Sequence, residues 1–478
     1  MESLRLRSTL LFLVVALSAT VRAAPGELPA EVEAALARAK VPSSALVALV
    51  QEVDAPRPRL AWQTEQPVNP ASLMKLFTTF AALELLGPAW RWNTPVWLHG
   101  SVRDGVLEGN LVIKGSGDPT LVMERIWLML HRVLQLGVRE IRGDIVLDRS
   151  AFTLPEHDTS AFDGEPLRPH NVGADALLLN FKSVTLGFRP DPARGVAFVL
   201  SDPPLAGTSV DPSVPLVNGP CEDWRSSLRL DVSDPTRLRL PGSYPASCGE
   251  QLWPLAYPEP QNYSARALAA LWREIGGSLT GKVRDGIAPS TPPTFELGSP
   301  PLADVVRDTN KYSSNVMAQQ LFLSLALAQR GSGTPQGARE VLRDWVELRL
   351  GQAGAGVVID NGSGLSRGSR TTAHALARLL MLAWSSPVMP ELMGSLPVAG
   401  LDGTMRRARM PLGRAHLKTG SLRDVAGIAG YVLSATGRRY VVVAIVSHPN
   451  ASAARPALEA LTQWTAADPA AARPRPVR

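Results

Sequence analysis

Three short motifs, spread over most of the chain, place the strongest constraint on how it can fold. The first is Ser72-x-x-Lys75, which opens an apolar run with helical spacing. The second, Ser313-x-Asn315, is the only Ser-x-Asn pattern, and the third, Lys418-Thr419-Gly420, is the only Lys-Thr-Gly. If the motifs act together, distant parts of the chain must meet, and the roughly 240 residues between the first two must form an insertion.

The first motif has the spacing of a nucleophile and its base. Residues three apart on a helix lie on the same face, so Ser72 Oγ and Lys75 Nζ can meet. A serine hydroxyl is a poor nucleophile, but a lysine kept neutral by burial or by a second cation can take its proton. At a helix N-terminus the helix dipole favours an oxyanion. The motif therefore predicts an acyl-transfer enzyme of the Ser-Lys type, although alone it is weak evidence.

The order of the three motifs is more specific than any one of them. Ser-x-x-Lys, Ser-x-Asn and Lys-Thr-Gly follow each other as in penicillin-binding proteins and class A β-lactamases. The chain has 49 Lys and Arg residues but only seven lysines, and two of these fall inside the motifs. Singly, the residues could be a helix cap, a solvated lysine or a turn; together they indicate one site.

Composition limits the class of protein. With 478 residues, 45% of them hydrophobic, the chain can form two or three domains. A net charge of +6 suits an anionic envelope, but without a basic stripe interleaved with aromatics we expect no nucleic-acid partner. The seven histidines show no HExxH or clustered spacing, so we expect no metal and no cofactor.

The N-terminal residues 1–24 resemble a signal peptide. Arg5 and Arg7 precede a short apolar run, and Val21-Arg22-Ala23 fits a cleavage site. The run is too short to span a bilayer, and no later segment is long and apolar enough, so the mature chain should be exported without a transmembrane segment. For the two cysteines, Cys221 and Cys248, a disulfide and two free buried thiols both stay open.

The two ends of the chain are expected to form one sheet flanked by helices, because strand patterns occur near both termini. The middle alternates short strands with helices, and residues 183–250 are rich in Pro, Gly and β-like runs. The expected division is a catalytic domain at 25–93 and 297–466, an inserted domain II at 94–182 and 251–296, an inserted β domain III at 183–250, and a disordered tail at 467–478.

On these motifs the chain resembles the class C low-molecular-mass penicillin-binding proteins, the D-alanyl-D-alanine carboxypeptidase/endopeptidase family. Four further segments resemble sequence motifs of this family: Gly115–Thr120, Arg142–Asp148, Asp360–Arg367 and Gly400–Thr404. The long insertion after the first motif is also typical of the family. Two positions depart from it, Gln319 and Asn361, where relatives often have Glu and Asp.

The resemblance implies an α/β (α+β) transpeptidase-like, serine β-lactamase-like domain, an antiparallel sheet flanked by helices with two inserted, mostly β domains. It implies a periplasmic serine-type D-Ala-D-Ala carboxypeptidase and leaves open whether the protein is also a D-alanyl endopeptidase. The implied partners are peptidoglycan stem peptides and, as covalent inhibitors, β-lactam antibiotics, with peripheral association with the envelope.

Roles for the site residues follow from the same resemblance and from the chemistry. Ser72 is the predicted nucleophile, Lys75 its base and Ser313 a proton relay to the leaving amine. The N–H groups of Ser72 and Ser421 are candidates for an oxyanion hole. The predicted substrate-binding residues are Asn315, Lys418, Thr419, Gly420 and Ser421.

Other functions fit the sequence less well. A serine β-lactamase-like hydrolase would need a glutamate for deacylation, which cannot be placed, and a non-catalytic peptidoglycan-binding protein would keep the fold without the chemistry. Gly364-Leu-Ser-Arg-Gly368 matches a nucleophile elbow around Ser366, with His448 downstream, but too little chain remains for a hydrolase sheet. Gly276–Lys282 has P-loop spacing, but Val283 replaces the magnesium-binding Ser or Thr.

Overall fold

The computed structural model describes residues 27–468. The predicted signal peptide, residues 1–24, lies outside this range, as do residues 469–478. The last helix ends at Ala467, and Asp468 is buried, with its carboxylate bonded to Arg59, Thr436 and Tyr440. The predicted start of a disordered tail at 467 is therefore wrong for its first two residues, because Asp468 is anchored by these contacts.

The parts of the chain before and after the insertion form one helix-flanked sheet. Before the insertion lie α1 (Ala30–Arg38), β1 (Leu46–Glu52), β2 (Leu60–Trp62) and α2 (Lys75–Leu86). The insertion begins with β3 (Asn93–Arg103), β4 (Val106–Lys114), α3 (Met123–Gln135), β5 (Glu140–Ile141) and β6 (Ile145–Asp148). It continues with β7 (Ser183–Asp191), β8 (Val196–Asp202), β9 (Ser209–Val210), β10 (Ser213–Val217), α4 (Trp224–Ser227), β11 (Arg237–Leu238), β12 (Tyr244–Pro245) and β13 (Gln251–Ala256).

The remaining elements complete the insertion and return to the first sheet. The insertion ends with α5 (Pro260–Glu274), β14 (Ser278–Leu279), β15 (Val283–Asp285) and β16 (Phe295–Gly298). A helical group follows, made of α6 (Leu302–Lys311), α7 (Asn315–Arg330), α8 (Pro335–Leu350), α9 (Ala373–Trp384) and α10 (Met389–Ser395). The chain closes with β17 (Ala415–Leu422), β18 (Val425–Leu433), β19 (Arg439–Ser447) and α11 (Arg455–Ala467).

The first sheet joins the two ends of the chain in the order β17-β18-β19-β1-β2, with every pair antiparallel. Successive side chains of a strand point to opposite faces. In β1, Val47 and Leu49 pack with the large helical group, whereas Ala48 and Val50 pack with α1 and α11. Because both faces of the sheet are covered, the first five residues of β1 are all apolar and buried. The sheet leaves β17 as an edge strand, and the first residues of β17 pair with segment 397–399.

The insertion contains two larger sheets and a two-stranded one formed by β9 and β11. A seven-stranded sheet combines β3 to β6 with β14 to β16, and a five-stranded sheet has the order β12-β10-β8-β7-β13. Strand Gln251–Ala256 pairs with Ser183–Asp191, so the expected boundary at 250/251 is wrong: hydrogen bonding keeps this strand with the β module. An aromatic cluster of Phe188, Trp224 and Tyr244 fills that module, and Cys221 is bonded to Cys248.

A segment of irregular structure, residues 149–182, connects the insertion to the helical group. Its Asp175 N–H donates to Gln320 Oε1 (2.9 Å), and Gln320 Nε2 donates to the carbonyls of Asp175 (2.8 Å) and Gly117 (3.1 Å). Gln320 lies on α7 and is fully buried. A buried amide with its donors and acceptor all paired fixes this junction strongly. Within residues 27–468, no helix meets the length and hydropathy needed to cross a membrane.

The cross-link in the β module gives a stability prediction. Replacing Cys221 and Cys248 with serine should lower the free energy of unfolding of this module by about 3 kcal/mol, because the bond closes a loop of 27 residues in the unfolded chain. Limited proteolysis with mass-spectrometric mapping should show new cleavage within 183–256. Equal protease resistance of the variant and the wild type would contradict this expectation.

Candidate active site

Ser72 and Lys75 are brought together by a tight turn. Ser72 lies in a 3₁₀ turn, Ala71–Met74, directly before α2, which starts at Lys75. A 3₁₀ turn has three residues per turn, so side chains three apart stack over each other. The Lys75 Nζ to Ser72 Oγ distance is 3.0 Å. The start of this turn is fixed by a side-chain hydrogen bond, in which Asn69 Oδ1 accepts the Ala71 N–H at 2.9 Å.

Lys75 is buried with three partners around its amine. Besides Ser72, Nζ donates to Asn315 Oδ1 at 2.7 Å and to the Ser363 carbonyl at 2.7 Å. Both of these partners are obligate acceptors, whereas a hydroxyl can donate. In the neutral amine, the two N–H bonds are used by Asn315 and Ser363, and the lone pair is left for the Ser72 proton. The three contacts are thus compatible with a neutral amine whose lone pair faces the Ser72 hydroxyl.

Electrostatics favour the same protonation state. Burial lowers the pKa of Lys75 well below 10.5, and the positive charge of Lys418 lowers it further. Lys182, which is partly exposed, has the carboxylate of Asp175 at 2.7 Å, whereas the bonded partners of Lys75 include no carboxylate. A lysine whose charged form is penalised in this way gives up its proton more easily than a free lysine, which is what a general base requires.

The second motif lies at the junction of α6 and α7. Ser313 has a left-handed backbone with φ of 57°, and Ser314 caps α7 by accepting the Met317 N–H. Asn315, the first residue of α7, accepts from Lys75 and donates through Nδ2 to the His170 carbonyl at 3.2 Å. Asn315 therefore connects the base to the inserted segment.

The third motif lies on the edge strand β17. Lys418 is buried, and its Nζ donates to Ser313 Oγ at 2.8 Å and to the Thr419 carbonyl at 2.8 Å. Burial lowers the pKa of Lys418 to about 7. Thr419 Oγ1 lies 2.8 Å from Thr404 Oγ1, and Ser421 Oγ accepts from Arg455 at 3.2 Å. The strand thus presents one amine and two hydroxyls beside the serine.

Gly420, predicted to bind substrate, also has a packing role. In the structure, a Cβ at this position would lie 2.8 Å from the Pro70 carbonyl and 3.1 Å from the Leu73 side chain. Gly420 is therefore required for β17 to pack directly against the turn that carries Ser72.

All eight predicted site residues lie on three neighbouring elements around two cavities. Ser72, Ser313 and Ser421 line both cavities, of about 480 and 540 Å³. Lys75 lies beneath Ser72, and Lys418 lies behind Ser313. These contacts place the residues together, while their individual roles stay predictions.

The loop 361–364 contributes contacts that sequence reasoning missed. Asn361 Oδ1 accepts from Ser363 N, Ser363 Oγ and Gly364 N at 3.0–3.2 Å, and its Nδ2 donates to the Leu365 carbonyl at 2.8 Å. This loop presents the Ser363 carbonyl to Lys75. A backbone carbonyl that acts as an acceptor leaves no pattern of side chains in the sequence. The only signal was that Ser363 lies within the family-like segment Asp360–Arg367.

The competing sequence interpretations place their residues elsewhere. Ser366 is buried, and its hydroxyl accepts from Gly368 N (3.0 Å) and Ser369 N (3.2 Å), so it stabilises a turn. His448 Nδ1 accepts the Asn450 N–H at 3.0 Å. Among residues 27–468, no cluster of three or more His, Cys, Asp or Glu could hold a metal ion.

The electrostatic coupling of the two lysines can be tested through pH. In Lys418→Met, the acidic limb of the acylation rate with benzylpenicillin should move to higher pH, because removing a nearby positive charge raises the pKa of Lys75. Lys75 must be neutral to accept the proton, so the acylation rate rises as the pH passes through the pKa of Lys75. A higher pKa therefore moves the midpoint of this rise to higher pH. Stopped-flow labelling between about pH 5 and pH 10 measures the limb.

The matched control is Lys282→Met, which removes an exposed lysine of the insertion and should leave the profile in place. Slower acylation with an unmoved acidic limb in Lys418→Met would contradict the coupling, because it would show loss of binding alone.

The loop at Asn361 gives a second prediction. Asn361→Ala should slow acylation about tenfold, a loss on the order of one hydrogen bond, because the Ser363 carbonyl is no longer held towards Lys75. Asn361→Asp keeps an acceptor for the Ser363 and Gly364 N–H groups and should recover most of the rate. If both variants are equally slow, or both are unaffected, the loop does not position the base.

Comparison with known proteins identifies the family. The profile of the D-Ala-D-Ala carboxypeptidase 3 (S13) family matches residues 28–468. A D-alanyl-D-alanine carboxypeptidase from Actinomadura sp. (strain R39) is 31% identical over 392 residues, which cover 76% of this chain and 70% of that protein. The carboxypeptidase DacB of Haemophilus influenzae is 26% identical over 403 residues, covering 79% of this chain and 80% of that protein.

Solved structures show the same fold. Penicillin binding protein 4 from Haemophilus influenzae superposes with a TM-score of 0.70 at 21% identity, covering 87% of this chain and 96% of that one. A predatory endopeptidase from Bdellovibrio bacteriovorus superposes with a TM-score of 0.53 at 15% identity, covering 88% and 92%. The predicted fold class is confirmed, and the chain belongs to the D-Ala-D-Ala carboxypeptidase 3 (S13) family.

Proposed function

We propose that this protein removes the terminal D-alanine from peptidoglycan stem peptides through an acyl-enzyme on Ser72. Its family gives the reaction class: it is a serine-type D-Ala-D-Ala carboxypeptidase and a penicillin-binding protein. The observation that carries the residue assignment is the buried Lys75 amine, 3.0 Å from Ser72 Oγ and with its other two contacts on acceptors.

Acylation begins when Ser72 Oγ attacks the carbonyl carbon between the two D-alanines. The neutral Lys75 takes the hydroxyl proton, which its lone pair is placed to receive. Charge then develops on the carbonyl oxygen, and the N–H groups of Ser72 and Ser421 are the proposed donors for it. Ser72 at the start of α2 also places the oxyanion near the positive end of that helix.

Collapse of this intermediate breaks the C–N bond. The leaving nitrogen needs a proton, and Ser313 is the proposed relay: it gives its hydroxyl proton to that nitrogen and takes up the proton that Lys75 received from Ser72, so Lys75 is neutral again. The Ser313 hydroxyl lies 2.8 Å from Lys418 Nζ and faces the same cavities as Ser72. D-alanine leaves as the free amine. Water then attacks the ester and gives one proton to Lys75, which returns it to Ser72 Oγ as the shortened peptide is released.

The terminal carboxylate of the substrate is the proposed partner of β17. Thr419 and Ser421 offer hydroxyls on this strand, and Lys418 supplies a cation behind Ser313. The pKa of Lys418 is lowered to about 7 by burial. An incoming carboxylate favours the charged form and raises that pKa, so substrate binding itself recharges the amine.

The proposed partners and location follow from the sequence and from relatives. One solved structure of the Haemophilus influenzae protein contains a β-lactam, and one Bdellovibrio endopeptidase is acylated by penicillin G. We propose that β-lactams acylate Ser72 in the same way. The leader-like residues 1–24 support export to the periplasm, and the net charge of +6 supports peripheral contact with an anionic envelope.

The nucleophile assignment gives a direct prediction. Ser72→Ala should abolish both labelling by fluorescent penicillin and release of D-alanine from a pentapeptide, a loss of at least a thousandfold, because no other group forms the ester. Ser366→Ala tests the competing serine and should still be labelled. Labelling that persists in Ser72→Ala, or that disappears only in Ser366→Ala, would overturn the assignment.

A further inference from the structure

Another cavity, of about 460 Å³, lies entirely on the insertion and shares no lining residue with the cavities at Ser72. Its walls come from α5, from the segment that contains β14 and β15, and from the loop between β8 and β9. The α5 wall consists of residues at helical spacing along one face of that helix: Ala265, Arg266, Ala269, Trp272 and Arg273. The cavity therefore lies between this helix, the edge of the seven-stranded sheet and a loop of the β module.

The lining of this cavity is cationic. Among the described residues, Arg266, Arg273 and Lys282 line it, and no aspartate or glutamate does. Arg266 is offset by a carboxylate outside the lining, Glu259, whose Oε2 lies 3.5 Å from Nη2. Arg273 and Lys282 are exposed and form no ion pair within residues 27–468. A cavity lined by charges of one sign attracts ligands of the other sign, so the expected ligand is an anion.

Arg266 is the fixed cation of the lining. Its Nη1 donates to the carbonyls of Ala206 at 3.1 Å and Gly207 at 3.3 Å, which joins α5 to the loop of the β module. Its Nε is buried and has no hydrogen-bond partner in the part of the chain that the structure describes. Arg266 thus stands in the cavity wall with a donor still unused, and a buried donor without an acceptor is unfavourable.

The segment with P-loop spacing, Gly276–Lys282, forms another wall, but it does not bind phosphate as a P-loop does. In a P-loop the backbone N–H groups surround the phosphate. Here the Ser278 N–H donates to the Arg139 carbonyl at 2.9 Å. The Lys282 N–H donates to Asp144 Oδ1 at 3.0 Å. A strand, β15, follows the segment instead of a helix. Recognition of an anion is therefore left to the cationic side chains.

Charge and size indicate the class of anion. A phosphate monoester carries a charge of about −1.5 to −2 at pH 7, which matches the two unpaired cations, whereas a carboxylate would neutralise one of them. Guanidinium groups also bind phosphate oxygens in pairs. A phosphate of five heavy atoms, at roughly 30 Å³ each, occupies on the order of 150 Å³. The cavity of about 460 Å³ therefore leaves room for the group that carries the phosphate, against Ala265, Ala269 and Leu279.

We propose that this cavity binds a phosphate monoester of the envelope, carried by a lipid headgroup or by a soluble sugar or glycerol phosphate. Arg273 and Lys282 pair with the phosphate oxygens, Arg266 supplies a third cation from the wall, and the attached group lies on the small residues of α5. The inference rests on the export proposed above and gives the proposed envelope contact a place on the insertion. It does not depend on the chemistry of Ser72.

The test is the binding of glycerol phosphate to the full chain, measured by isothermal titration calorimetry. Arg273→Glu/Lys282→Glu reverses both unpaired charges and should raise the Kd at least tenfold, because charge-assisted hydrogen bonds are lost. The matched control is Lys40→Glu/Arg103→Glu, the same charge change at exposed residues outside this cavity, which should leave the Kd unchanged. Displacement of glycerol phosphate by an equal concentration of acetate would refute the assignment to phosphate.

A steric variant separates a cavity from a merely charged surface. Ala269→Phe keeps every charge but fills space beside α5, so it should also raise the Kd at least tenfold. Flotation with vesicles of equimolar phosphatidic acid and phosphatidylcholine, compared with phosphatidylcholine alone, identifies the source of the phosphate. Binding to the mixed vesicles supports a lipid headgroup, and binding of glycerol phosphate without flotation supports a soluble phosphate.

Labelling by fluorescent penicillin reports whether each variant is folded, because none of the changed residues lines the cavities at Ser72. Absence of saturable glycerol phosphate binding in a wild type that labels would overturn this site alone. Binding that either cavity variant leaves unchanged would do the same. Failure of the wild type to label with penicillin would instead contradict the proposed function.

Discussion

One buried amine organises this protein. Lys75 Nζ receives contacts from the turn that carries Ser72, from the first residue of α7, and from the loop that contains Ser363. Each contact comes from a different part of the chain, so the amine has these partners only once the three segments have come together. Burial of the amine disfavours its charged form, which is the condition for the base role proposed for Lys75. Under the proposed function, this base therefore exists only in the folded chain.

The insertion takes part in the site instead of merely interrupting the catalytic domain. Its segment 149–182 is clamped to α7 by Gln320 and reaches Asn315 through the His170 carbonyl. The same segment forms one wall of the smaller cavity. The smaller cavity beside Ser72 is thus built partly by the insertion, whereas the larger one is built by the catalytic domain itself, by β17, segment 404–410 and α11.

Much of this could be predicted from the sequence, because the informative residues carry unusual side chains in an unusual order. The motifs around Ser72, Ser313 and Lys418 led to the site, and strand patterns near both ends led to the shared sheet. The boundary at 250/251 failed, since the pairing of Gln251–Ala256 with Ser183–Asp191 depends on long-range hydrogen bonds that leave no local pattern. The contact between the Ser363 carbonyl and Lys75 was missed because it too is a long-range hydrogen bond to the backbone. The packing role of Gly420 could not be predicted because it depends on Pro70 and Leu73, which only the folded chain brings next to it.

The protonation state of Lys75 is the most direct test of this account. With seven lysines in the chain, the side-chain resonances of a ¹³C-lysine-labelled sample can be followed through a pH titration and assigned with Lys75→Met. The account predicts that the resonance lost in that variant titrates well below 10.5, so that the amine is already neutral where a free lysine is charged. A Lys75 resonance that titrates near 10.5 in the folded protein would contradict it.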